Sequence, residues 1–111
     1  MFGGELEANK CIAALQKCHA VCMRTLSYSG NQIEREYHTH EELRKSMLDC
    51  AEMCQTAANF LIRDSDHYLR ICREASEICK DLASISKGID RMEGVISKCN
   101  ECIHACRVIV G

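Results

Sequence analysis

The spacing of the cysteines in the stretch Cys99-Asn-Glu-Cys102-Ile-His-Ala-Cys106 constrains the fold of this chain more than any other feature. The stretch lacks Pro and Gly, and its thiols recur at intervals of three and four residues. At about 100° per residue on an α-helix, these three side chains share one stripe. The apolar stripe of an amphipathic helix is the one that becomes buried. The buried stripe of this helix is therefore predicted to consist of sulfur.

Three earlier segments repeat this arrangement, so the sequence predicts four helices. They are predicted to run from about Glu5 to Tyr28, from a Thr39–Glu42 capping box to Arg63, from an Asp64–Asp66 turn and N-cap to Lys87, and from an Asp90–Glu93 cap to Val110. Gly30 and Gly88 are predicted to end the first and third helices, because glycine accepts the left-handed conformation of a helix stop. The segment 32–38 fits either a helical turn or a loop.

All ten cysteines fall on the predicted inward stripes of these helices. The stripes consist of Cys11, Cys18 and Cys22 on the first helix; Leu43, Met47, Cys50, Cys54, Ala57 and Leu61 on the second; Tyr68, Cys72, Ser76, Cys79, Ala83 and Ser86 on the third; and Met92, Val95, Cys99, Cys102, Cys106 and Val110 on the fourth.

Length and composition favour an all-α protein with one domain. The chain has 111 residues, no Pro and only 5% aromatic residues, which suits helices and disfavours a β-sandwich. Four helices of about 20–24 residues joined by mostly short links predict an antiparallel up-down four-helix bundle with a cysteine-lined core. We expect residues 1–111 to form this single metal-binding domain.

Several classes of function are disfavoured. The net charge is −2 with no basic cluster, which argues against nucleic acid as a partner. No apolar run approaches about 18 residues, so no membrane span is predicted. The sequence also contains no nucleophile–base pair, Gly-rich phosphate loop or paired inward carboxylate, so we do not expect an enzyme. The N-terminus lacks the basic and hydrophobic regions of a secretory signal, which favours a cytoplasmic location and reduced thiols.

The thiols are predicted to form a column along the bundle axis when they are placed at about 1.5 Å per residue on alternating helices. Those expected toward the lower end, next to a closing layer of Leu61, Tyr68 and Val110 beneath them, are Cys11, Cys54, Cys72, Cys102 and Cys106. Those expected about one to two turns higher are Cys18, Cys50, Cys79 and Cys99. Cys22 is predicted to lie higher still, near the thioethers of Met47 and Met92.

Such a core needs an explanation, because buried Leu or Ile side chains would contribute about 1.5–3 kcal/mol each. Metal–thiolate bonds would restore this stability, since metal-binding energy becomes folding energy. Soft thiolates and thioethers select Cu(I), Zn or iron–sulfur clusters. A continuous thiol column suits an ion that accepts two or three thiolates and shares them between neighbours. Cu(I) fits this requirement best.

The sequence resembles the cytosolic four-helix-bundle copper storage proteins over nearly its whole length. The resemblance rests on Cys18-x3-Cys22, Cys50-x3-Cys54 and Cys99-x2-Cys102-x3-Cys106, with Cys11, Cys72 and Cys79 at heptad spacing. It implies that these cysteines point into the bundle and bind many Cu(I) ions, and that the bundles assemble as homo-oligomers, often tetramers. It further implies that Met47 and Met92 assist metal uptake at the open end. Ser76 and Ser86 stand at stripe positions where further cysteines would fit.

Other interpretations remain open at this stage. Cys99, Cys102, Cys106 and a fourth thiol would hold an iron–sulfur cluster in a redox protein, zinc would take separate thiolate quartets, and the thiols of a structural bundle would simply pack. Glu101-x-x-His104 copies a di-iron fragment but points away from the core, as does His67. His38 is expected to be solvated, and His19 or His40 would relay incoming metal.

Overall fold

The computed structural model describes residues 4–28 and 41–111, and the described part of the chain contains four helices and no strand. Helix α1 spans Glu5–Tyr28, α2 spans Glu41–Ile62, α3 spans Tyr68–Ser86 and α4 spans Glu93–Val110. These bounds agree closely with the intervals predicted from cysteine periodicity, and the all-α class is confirmed. None of these helices combines the length and the apolar character that a membrane span requires.

The helices form an antiparallel bundle in which each packs against two neighbours. Helices α1 and α3 both pack against α2 and α4. The cysteines show the directions directly, because the Cys11 thiol contacts Cys106 while the Cys18 thiol contacts Cys99. Residue numbers thus rise along α1 as they fall along α4. The predicted up-down topology is confirmed.

The turn between α2 and α3 is confirmed, but the N-cap predicted within Asp64–Asp66 is wrong. Asp64 adopts a φ of 55° and so turns the chain after α2. The Ser65 hydroxyl accepts a hydrogen bond of 3.1 Å from the backbone N–H of His67. His67 itself occupies the N-cap position of α3 and makes no capping hydrogen bond with its side chain. The Ser65 side chain therefore stabilises the turn before α3 rather than the first turn of the helix.

The link between α3 and α4 shows one confirmed and one wrong prediction. Gly88 has a φ of 76°, as expected of the residue that stops a helix. The predicted cap at Asp90 is wrong, since α4 begins at Glu93 and Met92 holds the N-cap position without a side-chain hydrogen bond. The Met92 side chain is buried in the core. The chain turns directly before this N-cap, where Arg91 adopts a φ of 68°.

Several sequence predictions fall on residues outside the described ranges. The Thr39 hydroxyl of the capping box, the Gly30 stop, the segment 32–38, and His38 and His40 belong to this set. The remainder of the capping box, Glu41 and Glu42, forms the acidic first turn of α2. Acidic side chains at this end interact favourably with the helix dipole.

All ten cysteines are buried, and they form one core with Leu15, Leu43, Met47, Leu82, Met92 and Val95. Leu61 closes the lower end of this core, with Tyr68 and Val110 packed against it. The predicted position of Ser76 in the core is wrong, because Ala75 and Leu82 are buried on α3 and Ser76 is only half-buried. Ser76 lies instead in a groove between α3 and α4. On the helical wheel, Ser76 lies on one side of Cys79 and the buried Ala75 and Leu82 lie on the other.

Ser86 is the buried polar residue of this core in the described part of the chain. Its side chain is fully buried, and its hydroxyl oxygen has no hydrogen-bond partner. A serine within a helix usually returns a hydrogen bond to its own backbone. Burial of an unsatisfied hydroxyl costs about 1–3 kcal/mol. Ser86 is therefore a local destabilising element at the upper end of the bundle, which we define as the end containing Met47 and Met92.

We predict that Ser86→Ala raises the free energy of unfolding of the metal-free protein by about 1 kcal/mol, because it removes the unsatisfied hydroxyl. Urea denaturation followed by circular dichroism measures this change. Ser84→Ala is the matched control, since Ser84 is an exposed serine on the same helix. A loss of stability on substituting Ser86 would show that its hydroxyl has a partner.

Candidate metal centre

Four thiols, one from each helix, meet at the middle of the bundle axis. Cys18, Cys50, Cys79 and Cys99 form this central quartet, with all four sulfur atoms within 4.8 Å of one another. The separations of neighbouring sulfurs are 3.8 Å from Cys18 to Cys50, 3.9 Å from Cys18 to Cys99 and 3.6 Å from Cys50 to Cys79. The sequence placed these four cysteines at one height, and the structure confirms this level.

A lower triad of thiols lies one heptad from the quartet. It consists of Cys11, Cys72 and Cys106, whose sulfurs all lie within 4.8 Å of one another, with 3.7 Å between Cys11 and Cys106. Helix α2 contributes no thiol here, because the residue seven positions after Cys50 is Ala57. The lower triad therefore offers three sulfur ligands.

A bridging triad connects the two levels. It consists of Cys54, Cys79 and Cys102, again within 4.8 Å of one another. The Cys54 sulfur lies 3.7 Å from that of Cys79 and 3.9 Å from that of Cys50. Cys79 belongs to both the bridging triad and the central quartet. A thiolate at this position can bridge two metal ions, so the column can hold neighbouring ions that share ligands.

The upper end of the column combines one thiol with two thioethers. Cys22 is buried and interacts with Cys18 and Cys50 of the central quartet. It belongs to none of the three close groups found among the described residues. Met47 and Met92 are both buried in the same core. Met92 stands one heptad above Cys99, at the level that the sequence predicted for it.

All ten cysteines are free thiols. Their closest sulfur separations of 3.6–3.9 Å are van der Waals and weak hydrogen-bond contacts. A disulfide bond would need about 2.05 Å. The side chains are thus close enough to share one ion without being joined to each other.

Thiol contacts and burial shift the pKa values of the lower triad in opposite directions. Contact with Cys106 is the largest cause that raises the pKa of Cys11, and it raises the pKa of Cys72 to about 12 with the help of burial. The pKa of Cys106 is lowered, because the thiols of Cys102, Cys11 and Cys72 donate to its thiolate. Ionisation of one thiol therefore opposes ionisation of its neighbours.

The central quartet follows the same pattern. The pKa of Cys99 is raised by its contact with Cys18 and by burial, whereas contacts with Cys102, Cys22 and Cys50 lower the pKa of Cys18. Most thiols of the column are consequently protonated at neutral pH without metal. A bound cation reverses this preference, since it stabilises several thiolates at once.

The described histidines lie away from the column. The ring Nδ1 of His19 is 2.7 Å from the backbone carbonyl oxygen of Ala51, to which it donates from α1 to α2. His67 and His104 are exposed, as the wheel positions predicted. Glu101 is also exposed and pairs with Lys98 at 2.9 Å, so the di-iron fragment has no partner residues in the described core.

One cysteine of the column also reaches the wall of a surface groove. Cys106 lines the groove between α3 and α4 together with Ser76, Lys80, Arg107 and Val110. Its exposed fraction is only 1%. The groove therefore approaches the lower triad from outside while leaving its sulfur atoms covered.

Comparisons with known proteins agree with this arrangement. The family model for copper storage proteins matches residues 5–111, which include every cysteine of the column. A comparison with curated proteins found no match. The crystal structure of the Nmul_A1745 protein from Nitrosospira multiformis is similar over 96% of this chain and 97% of that chain, with a TM-score of 0.85 and 28% sequence identity. With its buried thiol column and a family match over all four helices, the chain belongs to the copper storage protein family.

Proposed function

We propose that this protein binds several Cu(I) ions through the thiolates of its core and thereby stores or buffers copper, without catalysing a reaction. The observation that carries this proposal is the column of ten buried thiols, most of them in groups whose sulfurs lie within 4.8 Å of one another. The proposed ligands are Cys11, Cys18, Cys22, Cys50, Cys54, Cys72, Cys79, Cys99, Cys102 and Cys106, with Met47 and Met92 as thioether ligands at the upper end.

The ligand set favours Cu(I) as the main cargo. Every proposed ligand is sulfur, and soft sulfur ligands select soft cations. Two of the three close groups have three thiols rather than four. Cu(I) is satisfied by two or three thiolates, and shared thiolates such as Cys79 let neighbouring ions pack along one axis. Copper held in this way is shielded from solvent and from redox cycling.

The iron–sulfur alternative is less well supported. Cys99, Cys102 and Cys106 belong to three different groups rather than to one site. A cluster would also place several irons and sulfides between its thiolates, whereas the thiols here are already in contact. The alternative of purely structural thiols leaves unexplained why a core would give up larger aliphatic side chains along its whole axis.

The setting of the protein is part of the proposal. A reducing compartment such as the cytoplasm keeps ten closely spaced thiols free, which favours a cytoplasmic location. Family membership supports copper ions as the binding partner. We propose a homo-oligomer, such as a tetramer, as the assembled form. We infer that residues 1–111 act as one metal-binding domain.

The reduced protein is expected to bind several Cu(I) ions per chain. Anaerobic titration against a bathocuproine-type chelator, followed by mass spectrometry under non-denaturing conditions, counts the ions and the subunits together. A stoichiometry of zero or one Cu(I) per chain would reject the proposed function. A visible iron–sulfur absorption in anaerobically purified protein would favour the alternative.

Substitution of Cys50 and Cys79 by serine together is expected to lower Cu(I) capacity by two or more ions, because both contribute to the quartet and Cys79 also bridges. Soft Cu(I) prefers the sulfur of cysteine to the hydroxyl oxygen of serine. The matched control is Ala57→Ser with Ala83→Ser, which adds hydroxyls to the cores of α2 and α3 but keeps every thiol. Equal copper content in both double variants would show that the thiols merely pack.

Copper affinity is expected to rise with pH, because the pKa of Cys72 is raised to about 12 and that of Cys99 is also raised. These thiols are protonated at neutral pH, so each must lose its proton when it binds Cu(I). Affinity then increases about tenfold per pH unit for every proton displaced. Chelator competition at several pH values, corrected for chelator protonation, measures the slope. A pH-independent affinity would contradict this account.

A further inference from the structure

The central quartet differs from the other thiol groups in the number of its ligands. It is the group of four found among the described residues, whereas the lower and bridging triads have three members each. Each helix supplies one of its thiols, so four independent backbones hold the four sulfurs at one level. All four thiols are fully buried.

The spacing of the quartet fits a tetrahedral metal ion. A bond of about 2.3 Å from a zinc-class ion to each of four thiolates places the sulfurs about 3.8 Å apart. The three separations within the quartet are 3.8, 3.9 and 3.6 Å. The remaining pairs lie within 4.8 Å. Contraction around an ion therefore requires shifts of less than about 1 Å in side chains that already point at a common centre.

We propose that the central quartet is a four-thiolate site that binds one divalent zinc-class ion per chain when copper is absent. This inference rests on the proposed function only in that the core thiols act as metal ligands. It adds a second class of cation and restricts it to Cys18, Cys50, Cys79 and Cys99. Neither triad has a fourth thiol of its own to complete a tetrahedron, because α2 has Ala57 at the lower triad and α1 has Leu15 at the bridging triad.

Binding of one divalent ion to the quartet releases a fixed number of protons. One divalent ion forms four metal–sulfur bonds, four S–H bonds break, and four protons leave the core. The bound site carries a net charge of −2, and a buried charge must be compensated by hydrogen bonds. The Cys54 thiol stands 3.9 Å from Cys50 and 3.7 Å from Cys79, so its S–H can donate to either thiolate.

Cobalt(II) is the probe for this proposal, because tetrahedral cobalt bound to thiolates gives intense charge-transfer and visible bands. We expect anaerobic titration of the reduced, copper-free protein with cobalt(II) to saturate at one ion per chain with a tetrahedral spectrum. One equivalent of zinc(II) is expected to abolish that spectrum. An octahedral spectrum, or no saturable binding, would overturn the proposal.

Two substitutions on α4 assign the site. Cys99→Ser removes a ligand that belongs only to the quartet, and we expect it to weaken cobalt binding by more than about 100-fold, beyond the effect of losing a second-shell group. Cys106→Ser is the matched control, since it makes the same change at an equally buried thiol of the lower triad and should leave the cobalt spectrum intact. Equal losses in both variants, or a loss confined to Cys106→Ser, would overturn the assignment.

A second pair of variants tests whether a loss of cobalt binding comes from a folding defect. Cys18→Ser and Cys11→Ser make the same comparison on α1, and circular dichroism reports the helical content of each variant. The Cu(I) titration of the unsubstituted protein separates this inference from the proposed function. Several Cu(I) ions bound without a tetrahedral cobalt site would end the inference and leave copper storage standing, whereas no Cu(I) bound would end the proposed function.

Discussion

Contact between sulfur atoms on the bundle axis is the constraint on which the rest of the structure depends. Cysteine is small, so four helices can bring side chains such as Cys18, Cys50 and Cys79 within 3.6–3.8 Å along one line. If Leu or Ile replaced some of these cysteines, the larger side chains would fill the axis and keep the remaining sulfur atoms apart. Cysteine packs as a small hydrophobe, and bound cations would add to the stability of this core, because metal-binding energy contributes to folding energy.

The interruptions of the column matter as much as its thiols. Ala57 of α2 leaves the lower triad without a fourth thiol, and Leu15 of α1 does the same at the bridging triad. Nine of the ten thiols thus fall into one group of four and two groups of three, with Cys79 in two groups and Cys22 in none of them. Cys79 belongs to both the quartet and the bridging triad, so its sulfur is a possible ligand in either group. Ser86 ends the thiol series on α3 at the upper end, where the thioether of Met92 stands one heptad above Cys99.

Electrostatics explains why such a core can exist without metal and how a soft cation would change it. Crowded thiols oppose each other's ionisation, which keeps most of them neutral and makes burial tolerable. A soft cation changes this balance, since it replaces protons and neutralises part of the charge that it creates. The outer face plays little part in this chemistry. Its ion pairs, such as Lys98 with Glu101, are exposed and contribute at most about 1 kcal/mol each.

The sequence by itself determined the helices, the direction of their buried faces and the level of the central quartet. Heptad spacing is a local property. On an α-helix it fixes which face each cysteine occupies and how far along the helix axis it lies. It did not determine the N-caps of α3 and α4, where His67 and Met92 stand, because side-chain capping contributes only about 1 kcal/mol and does not fix a helix start. It also misplaced Ser76, which the helical wheel alone cannot distinguish from Ala75. The division into a quartet and two triads, with Cys79 shared, was decided only by the tertiary structure, because sulfur separations depend on how four helices approach and rotate about one axis.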